Sequence, residues 1–525
     1  MERGFFPQEL PPPFNTKSLA TFLAGYGSKA LPFRRGAHQS KPEIYNLART
    51  GTLRRELSIL NPVHFSFLGK CIVDNWSQLD QASSGSTLSL TRPVVTDPTR
   101  AIARQNSLDI RASKRAELRS RGRYLLFADL VRFYPSIYTH SIAWALHSKA
   151  RAKVNRSPSL LLGNEIDQLV RNCQDGQTNG IPVGPDTSLL IAEVLLSKVD
   201  RKLAKAHLKG FRYIDDYELV FDSEADALKA LSKLESALLE FELHLNPNKT
   251  KVVSLPQQLE DPWVAELKGA ELDASTSNFR NQLFRFFDRA FESARAHSTE
   301  NVLKYAAGRI ANIRVREDHY DMVEDLLIQC ARVEAGALPL VLNSILRSRL
   351  STPKRASRRT ELLHRLIWEH APQRHSSEVA WSIWACIALK FKIPSKLVRA
   401  VLEMEESVCA LLLLHARSLG LLQAPKDLDG LKAVITAHGL YGSRWLLGYE
   451  ANVKGWLSPG TSRDYVSRDI NFGQLKAAGV SFYDIAQTVL PTTEPSELSS
   501  YLSRIVPDYS EISDKSTDLD EDVEC

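Results

Sequence analysis

Asp215 and Asp216 stand side by side between two runs of strand-forming residues, FRYI (211–214) and YELVF (217–221). Aromatic and β-branched residues suit a pleated, half-buried surface, so the stretch reads as a β-hairpin with two carboxylates at its tip. Neighbouring carboxylates repel when both are ionised; the pair is comfortable where one is solvated or a cation is held. Alone, an Asp-Asp pair reads as a turn, because Asp tolerates unusual backbone angles and bonds its own main chain. Its company changes that reading. Asp129 closes the apolar run YLLFA (124–128), and a loop rich in glycine and proline, QDGQTNGIPVGPDTS, opens a long helix between the two acidic sites. Transfer of a nucleotidyl group puts negative charge on both the entering and the departing oxygen, and two divalent ions about 3.5 to 4 Å apart stabilise both when two or three carboxylates hold them. Mg²⁺, with its preference for oxygen ligands, suits three aspartates on neighbouring strands.

The surrounding elements must position those acids. The continuous apolarity of 124–128 predicts a strand covered on both faces. A helix over 188–209 follows the loop and ends at Gly210; after the hairpin come a helix over 224–242, a turn at Asn246-Pro247-Asn248 and a strand over 251–255. Upstream, an apolar stripe predicts one helix over 61–79, capped by Asn61 with Pro62 at its first position. Residues 1–60 read as a Pro-rich opening, a short helix near 16–23 and a loop. From about 278 to 505 successive helical patterns predict an all-α region of solenoid-like pairs. Trp368, Trp381, Trp384, Trp445 and Trp456 are expected in its core.

The chain has 525 residues, too many for one core, with ordinary globular composition, 43% hydrophobic and 24% charged. Its net charge of +6 is uneven. Eight basic residues fall between 100 and 123, and a second cluster comprises Arg347, Arg349, Lys354, Arg355, Arg358, Arg359 and Arg365. Such clusters are either solvated helix faces or a footprint for an anionic polymer. The acidic C-terminal tail reads as disordered. Six scattered cysteines without CxxC spacing argue against a zinc site or disulfide framework and fit a reducing cytoplasm. The opening MERGFFPQELPPPF lacks the apolar run of a signal peptide, and no stretch has the length of a membrane span.

Four segments, in order over roughly 50–265, resemble the motifs of reverse transcriptases: FADLVRFYPSIYTH, GIPVGPDTSLLIAE, YIDD and LHLNPNKT. The resemblance implies an α+β right-hand polymerase, with a 1–60 extension, fingers and palm over 61–275, a C-terminal all-α helical domain over 276–505, and the tail over 506–525. It implies that Asp129 and Asp215 bind two Mg²⁺ (or Mn²⁺) ions, with Asp216 assisting and the Leu130 carbonyl as a backbone ligand. Tyr134 would lie under the sugar and exclude a 2′-hydroxyl; Gly184 and Pro185 would let the backbone approach the nascent base pair; Lys249 would neutralise or protonate pyrophosphate. Arg92, Arg100, Arg104 and Arg115 are candidates for gripping the triphosphate.

The forms FYPSIYTHSIAWALHSK and GQTNGIPVGPDTS, the opening FFPQELPPPF and the helical C-terminal region are similar to the bacterial abortive-infection and defence-associated (unknown-group) reverse transcriptases. Asn179 departs from the glutamine many relatives carry there. The resemblance implies a DNA polymerase of antiphage defence, RNA-directed or untemplated, in which a protein tyrosine could serve as primer. Its partners would be deoxynucleoside triphosphates and RNA or DNA, a dedicated noncoding RNA among the candidates, in a cytoplasmic homo-oligomer without membrane contact. The alternative is a non-catalytic scaffold binding nucleic acid or a phage protein.

Overall fold

In a computed structural model of the protein the described residues are 1–27, 30–36, 39–49, 51, 53–95, 100–311, 313, 315–347, 352–423, 425–434, 436–457 and 464–488. The acidic tail, Arg349 and the end of the expected helical region lie outside them. The chain opens with α1 (Lys17–Ala24), then a hairpin of β1 (Glu43–Ala48) and β2 (Arg54–Ile59), where the sequence reading had only a loop. The alternation there is inverted: Glu43 is buried and Ile44 exposed. Glu43 earns its burial by accepting from the Ser407 amide (3.0 Å) and hydroxyl.

Next come α2 (Pro62–Asp74) and α3 (Trp76–Ser83). Asn61 caps α2, its side chain accepting from the Val63 amide at 3.1 Å, with Pro62 at the first position. The single helix expected over 61–79 is broken at Asn75, whose side chain turns back onto the Cys71 carbonyl. The short strands β3 (Pro93–Val94) and β4 (Ala103–Arg104) pair with each other, and α4 (Ile110–Arg119) leads into β5 (Tyr124–Ala128). Then follow α5 (Phe133–Ser136), α6 (His140–His147), α7 (Lys149–Val154), α8 (Leu162–Asn172), α9 (Asp186–Lys205), β6 (Gly210–Tyr213), β7 (Asp216–Phe221), α10 (Glu224–Leu239) and β8 (Lys251–Ser254).

The central sheet is antiparallel in the order β6-β7-β5-β8. Strand β5 pairs with β7 from Tyr124↔Phe221 to Ala128↔Tyr217. Its two faces meet different cores. Leu126, Ala128, Tyr217 and Leu219 join the main core; Leu125, Phe211 and Val220 pack with Leu118 of α4. Burial on both sides explains why 124–128 is apolar without alternation.

Beyond the sheet every regular element is helical among the described residues: α11 (Pro262–Gly269), α12 (Phe279–Ala296), α13 (Val302–Ala311), α14 (Tyr320–Val333), α15 (Leu338–Arg347), α16 (Pro353–His370), α17 (Ser376–Ala388), α18 (Ser395–Leu402), α19 (Ser407–Ser418), α20 (Trp445–Val453), α21 (Tyr465–Arg468) and α22 (Phe472–Ala477), with short 3₁₀ turns between. The N-terminal residues are woven into this region. The Asn15 amide donates to the Phe482 carbonyl (3.1 Å) and the Trp381 indole to the Glu9 carbonyl (3.0 Å). Trp381, Trp384 and Trp445 are core residues and Trp456 is half-buried. Trp368 is not core: it is 52% exposed, with the Lys396 ammonium over its ring at 5.2 Å. No helix among the described residues is long and apolar enough to cross a membrane, and none of the five described cysteines is in a disulfide.

Candidate active site

The β6–β7 hairpin closes on the pair Tyr213↔Asp216, leaving Ile214 and Asp215 as a two-residue turn. Ile214 has φ +54°, a left-handed conformation that a β-branched residue takes only when its surroundings impose it. The Ile214 amide donates to Thr91 Oγ1 (3.1 Å), and its carbonyl accepts from the Arg212 guanidinium. Arg212 is wholly buried and is gripped by two acids of α9: Glu193 at 2.9 Å through both guanidinium nitrogens, and Asp200 at 2.7 Å. Four hydroxyls bond the same acids. Thr91 (2.6 Å) and Ser89 (3.0 Å) donate to Glu193, and Ser86 (2.6 Å) and Tyr217 (2.8 Å) donate to Asp200. Burial alone would lower the Arg212 pKa, but Asp200 and Glu193 hold it well above its ordinary value. Burial and Asp200 push the Tyr217 phenol up. The turn that carries Asp215 is thus bolted to α9 by a satisfied ionic network.

One step beyond the Ala128↔Tyr217 pair, β5 reaches Asp129 just where β7 begins at Asp216. The structure therefore brings together the three aspartates that lie far apart in sequence. Asp129 and Asp215 are buried and Asp216 is partly exposed. Leu130 is buried and bridges Leu245. Asn246 is bonded to Asp129 twice: its amide donates to the Asp129 carbonyl at 2.8 Å and its side chain to the carboxylate at 3.2 Å. The turn bearing Lys249 is thereby tied to Asp129. Asn246 went unnoticed in the sequence, where Asn-Pro-Asn signals only a turn. An all-oxygen donor set of buried carboxylates and a backbone carbonyl fits a hard divalent cation such as Mg²⁺.

The glycine-rich loop packs against the segment that follows Asp129. The Ile181 amide donates to the Tyr134 carbonyl (2.9 Å) and the Gly180 amide to the Ile137 carbonyl (2.9 Å), so the half-buried Tyr134 is registered against the loop. Gly180 has φ +82°, and a Cβ there would stand 2.9 Å from the Pro135 carbonyl oxygen. Gly184 was expected to admit the nascent base pair. Its actual neighbours are the N-terminal segment and β2: a Cβ would meet Pro7 at 3.0 Å and the Ser58 carbonyl at 3.6 Å. Pro185 precedes α9, whose first residue, Asp186, donates its amide to the Gly4 carbonyl at 2.9 Å.

The four candidate arginines separate clearly. Arg92 pairs with Asp80 (3.0 Å) and Arg100 with Asp186 (2.5 Å). Arg115 faces the sheet. On α4 the arginines at 111, 115 and 119 form one stripe four residues apart. Arg115 and Arg119 both pair with Glu218, at 2.9 and 2.8 Å, neutralising an acid that is 2% exposed. Much of this basic cluster is therefore spent inside the protein. Arg111, unremarked in the sequence except as part of the cluster, pairs with Asp216 at 3.2 Å. Arg104 and Arg111 both lie over the Tyr213 ring, 5.6 Å from its centroid, beside the acidic turn.

Residues 80–287 match the reverse transcriptase (RNA-dependent DNA polymerase) family. That stretch contains the sheet, the hairpin and all three aspartates. A right-hand polymerase fold follows for it, and with it enzymatic activity as a nucleotidyltransferase of the RNA-directed DNA polymerase type, acting on nucleotides and a nucleic-acid template. No curated protein matches the chain in sequence. Among solved structures, telomerase from Candida albicans in complex with a TWJ fragment of telomeric RNA aligns at 11% identity over 64% of this chain and 67% of that one, with a TM-score of 0.27. A likeness that weak carries no weight for fold or activity.

Proposed function

We propose that the protein is a divalent-metal-dependent DNA polymerase whose chemistry takes place at Asp129, Asp215 and Asp216, and that it serves bacterial antiphage defence. The observation that carries the first half is the meeting of Asp129, at the end of a buried strand, with the hairpin that bears the other two acids. Bound Mg²⁺ ions supply charge stabilisation for the entering and leaving oxygens. The carboxylates of Asp129 and Asp215 and the Leu130 carbonyl hold the ions, with Asp216 assisting. Tyr134 excludes a 2′-hydroxyl, and Lys249 neutralises the departing pyrophosphate. Arg104 and Arg111, beside Tyr213, are the cations best placed to meet a triphosphate. Residues 61–275 act as fingers and palm, and the helical region that follows supplies the surface for a homo-oligomer. The defence role rests on the motif forms and on that helical region.

Purified, nuclease-treated protein incubated with Mg²⁺ and labelled deoxynucleotides, with and without RNA, tests the reading. Incorporation is expected, with a loss of about 10³-fold in Asp215→Asn, since a group stabilising transition-state charge is removed. Product formed only when RNA is added identifies an RNA template; product without it identifies untemplated synthesis. No product from the wild-type protein under any condition overturns the proposal. Loss of phage protection in the same variant tests the defence role, and nucleotides found covalently on a tyrosine by mass spectrometry test protein priming.

A further inference from the structure

Far from the palm, two helices meet at an elbow that gathers metal-binding atoms. His370 ends α16, a 3₁₀ turn spans Ala371–Gln373, and Arg374 takes φ +55° before His375 and α17. Glu378 lies in the first turn of α17, three residues after His375. The reversal points the two imidazoles and the carboxylate at one another. The Nδ1 atoms of His370 and His375 are 2.9 Å apart, and each is 3.6 Å from Glu378 Oε1. Among the described residues it is the group of His, Cys, Asp or Glu whose ligand atoms converge in this way.

We propose that His370, His375 and Glu378 bind a zinc ion that locks the α16–α17 elbow. A triangle with edges of 2.9, 3.6 and 3.6 Å has a point about 2.0 Å from every corner, which is the zinc–nitrogen and zinc–oxygen distance of a four-coordinate site. The two ring nitrogens face each other at 2.9 Å, and the carboxylate oxygen, which Arg54 also holds at 2.5 Å, lies equidistant from both. The rings are partly exposed, 20% and 16%, so water can fill a fourth position. The carboxylate is itself held from behind, as ligands of structural metals are. Arg54 donates to both carboxylate oxygens, to Oε1 at 2.5 Å and to Oε2 at 2.8 Å, and the Ser377 hydroxyl donates to Oε2 at 2.6 Å.

The position gives the ion a structural task. Arg54 belongs to β2, the Asn46 side chain of β1 donates to the Arg374 carbonyl (3.1 Å), and the Ala48 amide donates to Ser377 Oγ (2.8 Å). An ion at the elbow would therefore fix the seam between the N-terminal hairpin and the helical region.

The test uses the full chain carrying Asp129→Asn and Asp215→Asn, so that the palm contributes no metal binding, after removal of metal with a chelator. On titration with Zn²⁺ followed by desalting, one equivalent is expected to remain by elemental analysis, and the melting temperature to rise. Co²⁺ in its place is expected to give tetrahedral absorption bands without thiolate charge transfer. His375→Ala and His370→Gln, introduced separately, are expected to weaken binding on the order of 100-fold. Absence of retained zinc in the parent overturns the proposal and leaves only a His–His hydrogen bond. Zinc retained equally by folded variants, or a cobalt spectrum with thiolate charge transfer, overturns it as well; the spectrum decides even where a variant fails to fold.

Discussion

Arg212 in the sheet and Arg359 in α16 are both almost sealed from water and both answered by acids of a neighbouring helix, yet they do different work. Arg359 meets Glu324 of α14 through two bonds of 2.8 and 2.7 Å, joining two helices. Arg212 meets two acids of α9, and its guanidinium also reaches the Ile214 carbonyl inside the acidic turn. The first arrangement joins scaffold to scaffold. The second joins scaffold to the strained turn on which Asp215 rides, so the same ionic chemistry becomes a positioning device.

The sharpest way to break this comparison is to remove each cation in turn. Arg212→Met and Arg359→Met are each expected to lower stability by about 3–5 kcal/mol, because uncompensated acids are left buried; chemical denaturation checks this. Only Arg212→Met is expected to abolish nucleotide incorporation at a temperature where the variant remains folded. Adding Glu193→Gln and Asp200→Asn should restore much of the stability but not the activity, since the Ile214 carbonyl still lacks its donor. Equal loss of incorporation in the Arg359 variant would erase the distinction.

A smaller effect comes from buried acids held by neutral donors. Burial and the proximity of Glu406 raise the Glu43 pKa to about 8, and burial raises Glu406 to about 7. Raised carboxyl pKa values mean that the folded protein binds more protons than the unfolded chain. That contribution is fully present below the unfolded value, near 4.5, and is lost as pH rises through 7 and 8. His375 and His415, lowered to about 4 mainly by burial, act in the opposite sense, but only below their ordinary value of 6.5. Raising the pH from about 6.5 to about 8.5 should therefore reduce the melting temperature by about 2–4 °C, and Glu43→Gln should flatten that slope.

What was readable beforehand follows from the same division. Strand β5 and the hairpin are legible because covered strands are apolar and because Asp129, Asp215 and Asp216 sit where apolar runs stop. Arg212 was not legible: an arginine within a strand reads as solvent-facing, and nothing local announces that Glu193 and Asp200 wait on another element. The burial of Glu43 was not legible either, since it depends on Ser407, which lies 364 residues away. The basic cluster of α4 was visible as charge, but its partners Asp216 and Glu218 belong to a strand formed a hundred residues later. The zinc elbow escaped because its histidines are five apart across a turn and match no helical ligand spacing. Local pattern reveals strands, caps and motif order; long-range ionic satisfaction shows only in the fold.

The smallest expected effect separates neighbouring arginines on one helix face. Arg111 faces Asp216 with both partners partly exposed, 15% and 31%, so the pair itself contributes little stability. Arg115 shares the buried Glu218 with Arg119, which would remain after Arg115→Ala and keep that acid compensated. Neither alanine variant should change stability by more than about 1 kcal/mol. Their kinetics should diverge. Arg111→Ala is expected to raise KM for deoxynucleotides about tenfold, the worth of one charge-assisted hydrogen bond to a triphosphate, while Arg115→Ala leaves KM unchanged. A change in kcat alone for Arg111→Ala would mean that it acts through Asp216 as a positioning residue rather than on the nucleotide. A raised KM for Arg115→Ala would mean that the stripe does reach the substrate beyond Asp216, and that Glu218 is not the whole reason for its charge.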